Sequence, residues 1–327
     1  MAEPEDPRRA ARGRASRRAI LGVLLAACAL TSAACGASQR RFGHVQRTAS
    51  PVTSLAGGAP DHVAVIVMEN EEFSDIIGSP ATPFINRLAS RYALARSMFA
   101  ISHPSLPNYL ALTGGSTFGI TSDCTDCSVA APGLAGQLVA AHVSWKAYME
   151  DLPRPCFTGE SSGEYAKKHD PFLYYRPVAG DRATCAHIVP LTALSADERH
   201  RSLPRFIWIT PNLCHDMHDC SPATGDRFLS HLVPSLLASL GHRGVLFVTW
   251  DEGTSNEGCC RLASGGHVVT IVAGPGARSG AQLRTPTDHY STLQTIEDLL
   301  GLARLRGAAC PCTPSLQPLL RGRSRSG

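Results

Sequence analysis

The stretch Val245-Leu-Phe-Val-Thr-Trp-Asp-Glu-Gly253 decides the fold and points to a site. Its β-branched and aromatic run, bounded by Gly244 and Gly253, predicts a buried strand of a parallel sheet. Such a strand delivers Asp251 and Glu252 to the edge at which open α/β sheets bind their ligands. Two adjacent carboxylates in a dry cleft stay ionised only beside a cation or hydrogen-bond donors, so we expect a divalent metal there. The alternative is a solvated acidic turn.

Strand, loop and helix alternate along the rest of the chain. Short apolar runs predict further strands at residues 62–68, 93–99, 206–209 and 267–273, with helical spacing between several of them. Repeated strand–loop–helix units predict an α/β fold with a mostly parallel sheet and helices on both faces.

The length and composition suit one such domain with insertions. The chain has 327 residues, of which 43% are hydrophobic and 18% charged. We expect the domain to span residues 62–305, followed by a C-terminal tail at 306–327. The segment of about 116–202 is irregular and contains four cysteines, which predicts a disulfide-bearing cap insertion over the site.

The N-terminus has the pattern of an export signal. Six arginines precede the apolar residues 19–30, a run too short for a spanning helix but typical of a signal peptide, here placed at residues 1–35. Arg17-Arg18 resembles a twin-arginine signal, and Ser32-Ala-Ala-Cys35 resembles a lipoprotein cleavage site with a lipid anchor at Cys35. A Leu is usual where Ser32 stands, so release after simple cleavage stays open. With a flexible tether at 36–61, the sequence predicts an exported protein, either a cell-surface lipoprotein or secreted.

Cysteine usage agrees with export. Ten cysteines follow Cys35, and an even number in an exported chain favours disulfides. The expected pairs are Cys124 with Cys127, Cys156 with Cys185, and Cys214 with Cys220. The other four cysteines are left unassigned.

The net charge argues against one class of partner. The formal charge is +4, and the first 35 residues contribute three of these charges. The remainder is nearly neutral, which gives no electrostatic case for nucleic-acid binding.

Ionisable or nucleophilic side chains lie at the ends of nearly all predicted strands. They are Glu69, Asn70, Ser105, Asn212, His215, Asp216, His218, Asp219, Asp251, Glu252, His267 and His289. Together they offer enough oxygen and nitrogen ligands for one or two metal ions. Ser105 precedes a helix predicted from residue 108, whose N–H groups and dipole would make an anion site.

The motifs that contain these residues resemble a known family. Met-Glu-Asn-x-x-Phe at 68–73, His-Pro-Ser-Leu-Pro-Asn-Tyr at 103–109 and Trp-Asp-Glu-Gly at 250–253 resemble the bacterial phosphoesterase family. The same resemblance holds for Pro-Asn-x-Cys-x-Asp-Met-His-Asp-Cys at 211–220, Gly-Gly-His at 265–267 and Asp-His-Tyr-Ser at 288–291. That family includes acid phosphatases and phospholipases C and is a branch of the alkaline phosphatase superfamily. The resemblance runs from about residue 62 to 302, and Ser-Leu-Pro-Asn at 105–108 also looks like the nucleophile segment of nucleotide pyrophosphatases.

The resemblance implies residue roles. Ser105 would be the nucleophile that becomes a phosphoserine, assisted by His103, Asn108 and His218. The implied metal residues are Glu69, Asn70, Ser105, Asp216, Asp219, Asp251, Glu252, His267 and His289. Related superfamily members have Asp after the first strand and Asp-His after the later strand, where this chain has Glu69-Asn70 and Asp251-Glu252. This difference leaves open whether one or two metal ions bind, and whether they are Zn, Mg, Mn or Ca.

The sequence therefore predicts an exported metal-dependent phosphoesterase with a phosphate-ester substrate. The alternatives are a phospholipase C, a nucleotide pyrophosphatase-like phosphodiesterase, and a non-catalytic surface binding protein that would be expected to have lost Ser105 or a carboxylate. A metal-free serine hydrolase is disfavoured, because Pro104 and Leu106 flank Ser105 in place of a Gly-x-Ser-x-Gly turn. The sequence does not indicate an oligomeric state.

Overall fold

A computed structural model describes residues 58–260 and 262–322, in which strands and helices alternate. The strands are β1 Val63–Met68, β2 Ala93–Phe99, β3 Trp145–Met149, β4 Ser161–Ser162, β5 Tyr165–Ala166, β6 Ile188–Pro190, β7 Phe206–Thr210, β8 Val245–Trp250, β9 His267–Ala273, β10 Gln282–Leu283 and β11 Thr287–Asp288. The helices are α1 Phe73–Ile76, α2 Pro83–Arg91, α3 Ser105–Gly114, α4 Gly133–Ala140, α5 Arg176–Ala179, α6 Arg182–Cys185, α7 Thr192–His200, α8 Pro222–Ser239 and α9 His289–Leu300. Short 3₁₀ helices lie at Lys167–His169, Pro171–Tyr174, Arg306–Ala309 and Gln317–Leu319.

The central sheet has the strand order β10-β2-β9-β8-β1-β7-β3-β6, and β11 also pairs with β2. Strand β1 lies between β8 and β7 and is parallel to both. Strand β9 is antiparallel to its neighbours β8 and β2. The predicted α/β fold with a mostly parallel sheet is confirmed, and β9 is its antiparallel exception.

Both faces of the sheet are covered. Every residue of β1, β7 and β8 is buried, which requires packed layers on either side. Helix α2 packs on α8, and α3 packs on α9. Because the central strands run in one direction, the loops after β1, β7 and β8 meet at one edge of the sheet.

The segment expected to be an irregular cap is more regular than predicted. Strand β3 pairs with β7 in the central sheet, and β6 extends the sheet beyond β3. The five-residue strand β3 was missed because Lys146 interrupts its apolar run. The rest of the segment carries two disulfides and reaches the site described below.

Five disulfides link the ten cysteines that follow Cys35. The three predicted pairs, Cys124–Cys127, Cys156–Cys185 and Cys214–Cys220, all form. The cysteines that the sequence left unassigned pair as Cys259–Cys260 and Cys310–Cys312.

The described part of the expected C-terminal tail belongs to the packed domain, so the boundary predicted at residue 305 is too early. Leu316, Leu319 and Leu320 are buried, and Leu320 forms a β-bridge with Ala277. Short apolar clusters between prolines gave no periodic signal from which to predict this packing. The signal peptide, Cys35 and the tether up to residue 57 lie outside the described residues. Within the described ranges, none of the helices combines the length and hydropathy that a bilayer span requires.

Candidate active site

Three buried carboxyl groups meet at the edge formed by β1, β7 and β8. Glu69 follows β1, Asp216 lies in the loop after β7, and Asp251 follows β8. Backbone hydrogen bonds hold these loops together: Glu69 N donates to Asp216 O at 2.9 Å, and Asp251 N donates to Met68 O at 2.9 Å. The site geometry is therefore fixed by extensions of the sheet itself.

Ser105 is the first residue of α3 and is buried against this edge. Its Oγ lies 3.0 Å from Glu69 Oε2 and 3.2 Å from Glu252 Oε1. A serine hydroxyl between two carboxyl groups has acceptors within reach for its proton. The arrangement can activate this hydroxyl as a nucleophile.

His103 forms a pair with Glu252 at the exposed side of the site. Its Nδ1 lies 2.5 Å from Glu252 Oε2, and its Nε2 lies 2.9 Å from the carbonyl oxygen of Ser255. A carbonyl oxygen only accepts hydrogen bonds, so Nε2 of His103 carries a proton. The contact between Nδ1 and Glu252 holds a second proton, which lies between the imidazole and the carboxyl group. The pair can thus hold a proton beside Ser105.

His169 comes from the cap segment and lies at the centre of the buried carboxyl groups. Its Nε2 is 3.3 Å from Glu69 Oε1, and its Nδ1 is 3.2 Å from Asp216 Oδ2. The ring stacks on Tyr109, whose hydroxyl donates to Glu69 Oε1 at 2.5 Å. Burial holds the pKa of His169 well below its usual value, so the ring is neutral.

Lys168 brings a positive charge to the cluster. Its Nζ donates to Asp123 Oδ2 at 3.1 Å and lies 3.1 Å from His218 Nε2. Burial lowers the pKa of Lys168, but Asp123, together with Glu69 and Asp251, more than compensates, and the net shift is upward. His218 is oriented by Asp219, whose Oδ1 lies 2.6 Å from its Nδ1.

Burial disfavours the ionised form of the carboxyl groups and raises their pKa values. Burial, with Asp251 and Asp216 nearby, raises the pKa of Glu69 well above its usual value. Burial raises the pKa of Asp216 to about 8, and burial with the neighbouring Glu252 raises that of Asp251 to about 8. Without a compensating cation, Asp216 and Asp251 therefore hold protons at neutral pH.

The donor set fits a divalent cation. Asp251 Oδ2, Asp216 Oδ2 and His169 Nε2 are buried without a hydrogen-bond partner. Glu69, His169 and His218 each present a ligand atom within 4.8 Å of the others. Carboxylate oxygens and imidazole nitrogens are ligands for Zn²⁺, and the carboxylates also suit Mg²⁺ or Mn²⁺. A bound cation would satisfy these unpartnered atoms and favour ionisation of the carboxyl groups.

Asn108, predicted to be catalytic, instead organises the loop before α3. Its Oδ1 accepts from the N–H groups of Ile101 and Ser102 at 2.9 and 3.1 Å. Its Nδ2 donates to the carbonyl oxygens of Ser102 and Pro104. The side chain is buried with all its hydrogen bonds directed to this backbone, so it positions Ser105.

The start of this helix offers fewer N–H groups to an anion than the sequence suggests. The N–H of Leu106 donates to Asp123 Oδ1 at 2.9 Å, and Pro107 has no N–H. A phosphoryl group would therefore find its positive charge on Lys168.

The two histidines predicted as ligands have other contacts. His267 stacks between Phe73 and Phe99, and its Nε2–H donates to the carbonyl oxygen of Arg96 at 2.9 Å. His289 uses Nε2–H to donate to the main-chain oxygen of Asp251 at 2.5 Å. Burial lowers the pKa of His289 to about 4, so this ring is neutral. The Nδ1 atom of His289 is buried without a hydrogen-bond partner, so the ligand roles predicted for these histidines stay predictions.

Asn70 and Asp219, two further predicted site residues, contact the buried carboxyl groups directly or through a neighbour. Asn70 adopts a positive φ of 55° and donates its N–H to Asp251 Oδ1 at 3.1 Å, while its side chain is half-buried beside the carboxyl groups. Asp219 is exposed and contacts the cluster through His218.

Asn212 and His215 belong to a neighbouring network. His215 Nδ1 lies 2.9 Å from Glu150 Oε1, and Asn212 Nδ2 donates to Asp151. Beside Glu150 is a cavity of about 790 Å³, also lined by Phe228 and His231. Ser105 does not line it. We assign the chemistry to the Ser105 cluster because that cluster contains the converging ionisable groups.

Sequence reasoning missed His169, Lys168, Tyr109 and Asp123 as site residues. Tyr109 lies four residues after Ser105, and this spacing alone places both on one face of a helix. Lys168 and His169 lie in a run of four ionisable residues, 167–170, which is an unusual composition for a loop that leads into apolar residues. Their distance in sequence from the strand ends concealed their role.

The chain is similar to one protein family and to two named phosphatases. The profile of the phosphoesterase family matches residues 79–303. A phosphatidylinositol-3-phosphatase of Mycobacterium tuberculosis is 36% identical over 261 residues, which cover 78% of this chain and 83% of that protein. A phosphate-repressible acid phosphatase of Penicillium chrysogenum is 30% identical over 302 residues, 88% of this chain and 71% of the other.

Solved structures share the fold at low sequence identity. A protein of the alkaline phosphatase superfamily from Vibrio parahaemolyticus superposes with a TM-score of 0.55 at 13% identity, over 80% of this chain and 72% of that chain. The murine ectonucleotide pyrophosphatase/phosphodiesterase 5 superposes with a TM-score of 0.50 at 12% identity, over 75% and 96%. The predicted alkaline phosphatase-like architecture is confirmed by this likeness, which concerns the fold alone.

We expect Asn108→Ala to lower the free energy of unfolding by roughly 2–5 kcal/mol, since it leaves buried N–H groups unpaired. Turnover should fall as well, because the loop that positions Ser105 is released. Asn86→Ala is the matched control: Asn86 Nδ2 donates to the carbonyl oxygens of Ile76, Ser79 and Thr82, remote from Ser105. It should lose stability and keep turnover. Chemical denaturation and phosphatase assays measure both effects, and an Asn108→Ala protein of normal stability without turnover would show a direct catalytic role.

The raised pKa values predict how pH affects the metal-free protein. Asp216 and Asp251 titrate near 3.8 when unfolded and near 8 when folded without metal, so the folded state holds more protons between these values. Stability without metal should therefore fall as pH rises through this window. A cation binds the ionised groups, so its stabilisation should be larger near pH 8 than near pH 5. Thermal unfolding with chelator or excess divalent metal at both pH values measures this, and a pH-independent increment would contradict it.

Proposed function

Because the chain belongs to the phosphoesterase family, we propose that it is an exported, metal-dependent phosphatase that hydrolyses phosphate monoesters through a phosphoserine at Ser105. The observation that carries the proposal is the buried Ser105 hydroxyl within hydrogen-bond distance of Glu69 and Glu252. Around it lie unpartnered carboxyl and imidazole atoms that suit a cation, and Lys168 supplies a positive charge.

In the first step, Ser105 Oγ attacks phosphorus and its proton passes to a neighbouring carboxylate. Glu69 and Glu252 are both within reach, and burial raises the pKa of each, which makes either a better proton acceptor than an exposed carboxylate. The ester P–O bond breaks and the leaving alcohol takes a proton. His103 is our proposed donor, because it holds a proton against Glu252 at the exposed side of Ser105.

In the second step, water attacks the phosphorus of the phosphoserine, the bond between phosphorus and Ser105 Oγ breaks, and phosphate is released. The carboxyl group that took the proton of Ser105 in the first step returns it to Oγ, and His103, which gave its proton to the leaving alcohol, accepts a proton from the attacking water. Lys168 would contact the phosphoryl oxygens in both steps, and His218, 3.1 Å from it, is the second candidate for proton transfer. Asn108 and Tyr109 hold Ser105 and Glu69 in place.

One or two divalent cations fit this cluster. The residues that would hold them are Glu69, Asn70, Ser105, Asp216, Asp251, Glu252, His169 and His218. The chemistry that such a cation supplies is neutralisation of the carboxylates and phosphoryl oxygens and a lower pKa for the serine hydroxyl.

The substrate class has two candidates within monoester hydrolysis. The fungal relative is named an acid phosphatase, which favours soluble monoesters. The mycobacterial relative is named a phosphatidylinositol-3-phosphatase, which adds a phosphorylated lipid headgroup as the second candidate. Export is supported by five disulfides beyond Cys35, together with the N-terminal signal pattern.

We expect a phosphoserine at Ser105 when turnover of 4-nitrophenyl phosphate is quenched with acid. Peptide mass spectrometry should place one phosphate on the peptide that contains Ser105, and Ser105→Ala should lose both the adduct and at least about a thousandfold in turnover. Ser102→Ala, at the nearest serine, is the matched control and should keep both. Chelation should abolish turnover in every variant. An active Ser105→Ala protein, or full activity in chelator, would refute the proposal.

A further inference from the structure

The edge of the sheet opposite Ser105 carries a concentrated positive charge. This basal edge consists of the loops before β1, β2, β7 and β8, the loop after β9, and the chain end beside it: residues 58–62, 90–92, 199–205, 240–244, 274–281 and 321. These loops contain seven arginines and one carboxylate, Asp61. The arginines are Arg91, Arg199, Arg201, Arg205, Arg243, Arg278 and Arg321.

The basal loops form one connected surface. Ser279 Oγ donates to the carbonyl oxygen of Arg91 at 2.7 Å, and Arg321 N donates to that of Gly276 at 2.9 Å. Gly276 N in turn donates to Gly244 O at 2.9 Å. On the other side, Arg201, His62 and Gly241 line one cavity of about 280 Å³ together with the carboxylate Glu198. The arginines therefore lie along one edge of the sheet, from the start of β2 to the start of β7.

Most of this charge is not neutralised. Arg91, Arg199, Arg201 and Arg278 are exposed. Among the described residues, the salt bridges that involve arginine join Arg243 to Asp61 and Arg304 to Asp298. An exposed group of unpaired guanidinium ions creates a positive potential over the basal edge.

The catalytic edge has the opposite composition. The loops at 69–72, 150–151, 211–221 and 251–258 contain ten carboxylates, against Lys168 at the site and Arg261 further along the loop after β8. The small net charge of the chain thus conceals a strong separation of charge across the sheet. The near-neutral total, which argued against nucleic-acid binding, does not describe this surface.

We propose that the basal edge binds the surface of an anionic lipid bilayer. Guanidinium groups match lipid phosphates in charge and hydrogen-bond geometry. The chain also enters the domain at this edge, where Arg243 Nε donates to the carbonyl oxygen of Ala59 at 2.7 Å. The segment that leads back to the predicted lipid-modified Cys35 therefore leaves from the same surface. This second observation favours a bilayer over a nucleic acid.

The proposed orientation has a functional consequence. Docked by its basal edge, the protein holds Ser105 and the carboxylate loops on the side facing away from the bilayer. Its substrates would then arrive from solution, which favours soluble phosphate esters over lipids of the supporting membrane. This consequence rests on the proposed phosphatase function, whereas the docking itself does not.

The test compares the chain from residue 36 onward with two triple variants of it, so that neither the arginines of the predicted signal peptide nor an acyl anchor at Cys35 contributes to binding. The basal variant carries Arg91→Gln, Arg201→Gln and Arg278→Gln. The matched control removes the same charge at three exposed arginines outside the basal loops, with Arg154→Gln, Arg227→Gln and Arg284→Gln. Binding is measured by co-sedimentation with vesicles of phosphatidylcholine, alone or mixed with phosphatidylglycerol. Thermal unfolding followed by circular dichroism reports correct folding of each variant, independently of the proposed activity.

We expect the parent to prefer the anionic vesicles and the basal variant to lose affinity for them on the order of 100-fold, roughly fivefold per arginine. The control should change less than about threefold, and turnover on a soluble ester should be unaffected in both. Equal losses in the two variants, or no preference for phosphatidylglycerol, would overturn the proposal. Tight binding to duplex DNA through the same three arginines, at least equal to vesicle binding, would overturn it in favour of a nucleic-acid surface.

Discussion

Mutual repulsion among buried carboxyl groups is the constraint on which the site depends. Glu69, Asp216 and Asp251 are all buried within a few residues of three adjacent strand ends, and Glu252 adds a fourth carboxyl group. Burial penalises each charge, and proximity penalises the charges together. The cluster therefore exists either with protons or with a cation, and the serine between the carboxyl groups experiences a different environment in each state. A bound cation would offset this repulsion and favour the ionised carboxyl groups.

The rest of the fold holds the buried carboxyl groups in place despite the free-energy cost of burying them. Parallel pairing of β1 with β7 and β8 sets the positions of the three carboxyl groups, and main-chain hydrogen bonds between their loops prevent them from moving apart. Asn108 fixes the loop that delivers Ser105, and His289 holds the main chain of Asp251. The cap segment is part of the centre as well as a cover, since it supplies His169 and Lys168. Changes in the cap should therefore affect chemistry and not substrate choice alone.

Local signals predicted the parts of the fold that follow local rules. The apolar runs of β1 and β8 identify buried strands, so Glu69 and Asp251 could be placed at one edge from sequence. Other features depend on long-range contacts. His169 is 100 residues from Glu69 in sequence, and nothing local shows that its ring stacks on Tyr109. His267 looks like a ligand at a strand start, but its ring packs between Phe73 and Phe99. The net charge did not reveal the separation of charge between the two sheet edges, because it does not say where in the fold the charged residues lie.

The most direct test of the account is the metal content of Asp251→Asn beside the wild type and Ser105→Ala, determined by elemental analysis after dialysis. If the buried carboxyl groups hold the cation, the wild type retains stoichiometric divalent metal and Asp251→Asn loses most of it, because a charged ligand is gone. Ser105→Ala should keep its metal, since a neutral hydroxyl contributes little to affinity. An Asp251→Asn protein with the metal content of the wild type, or an active wild type without metal, would contradict the account.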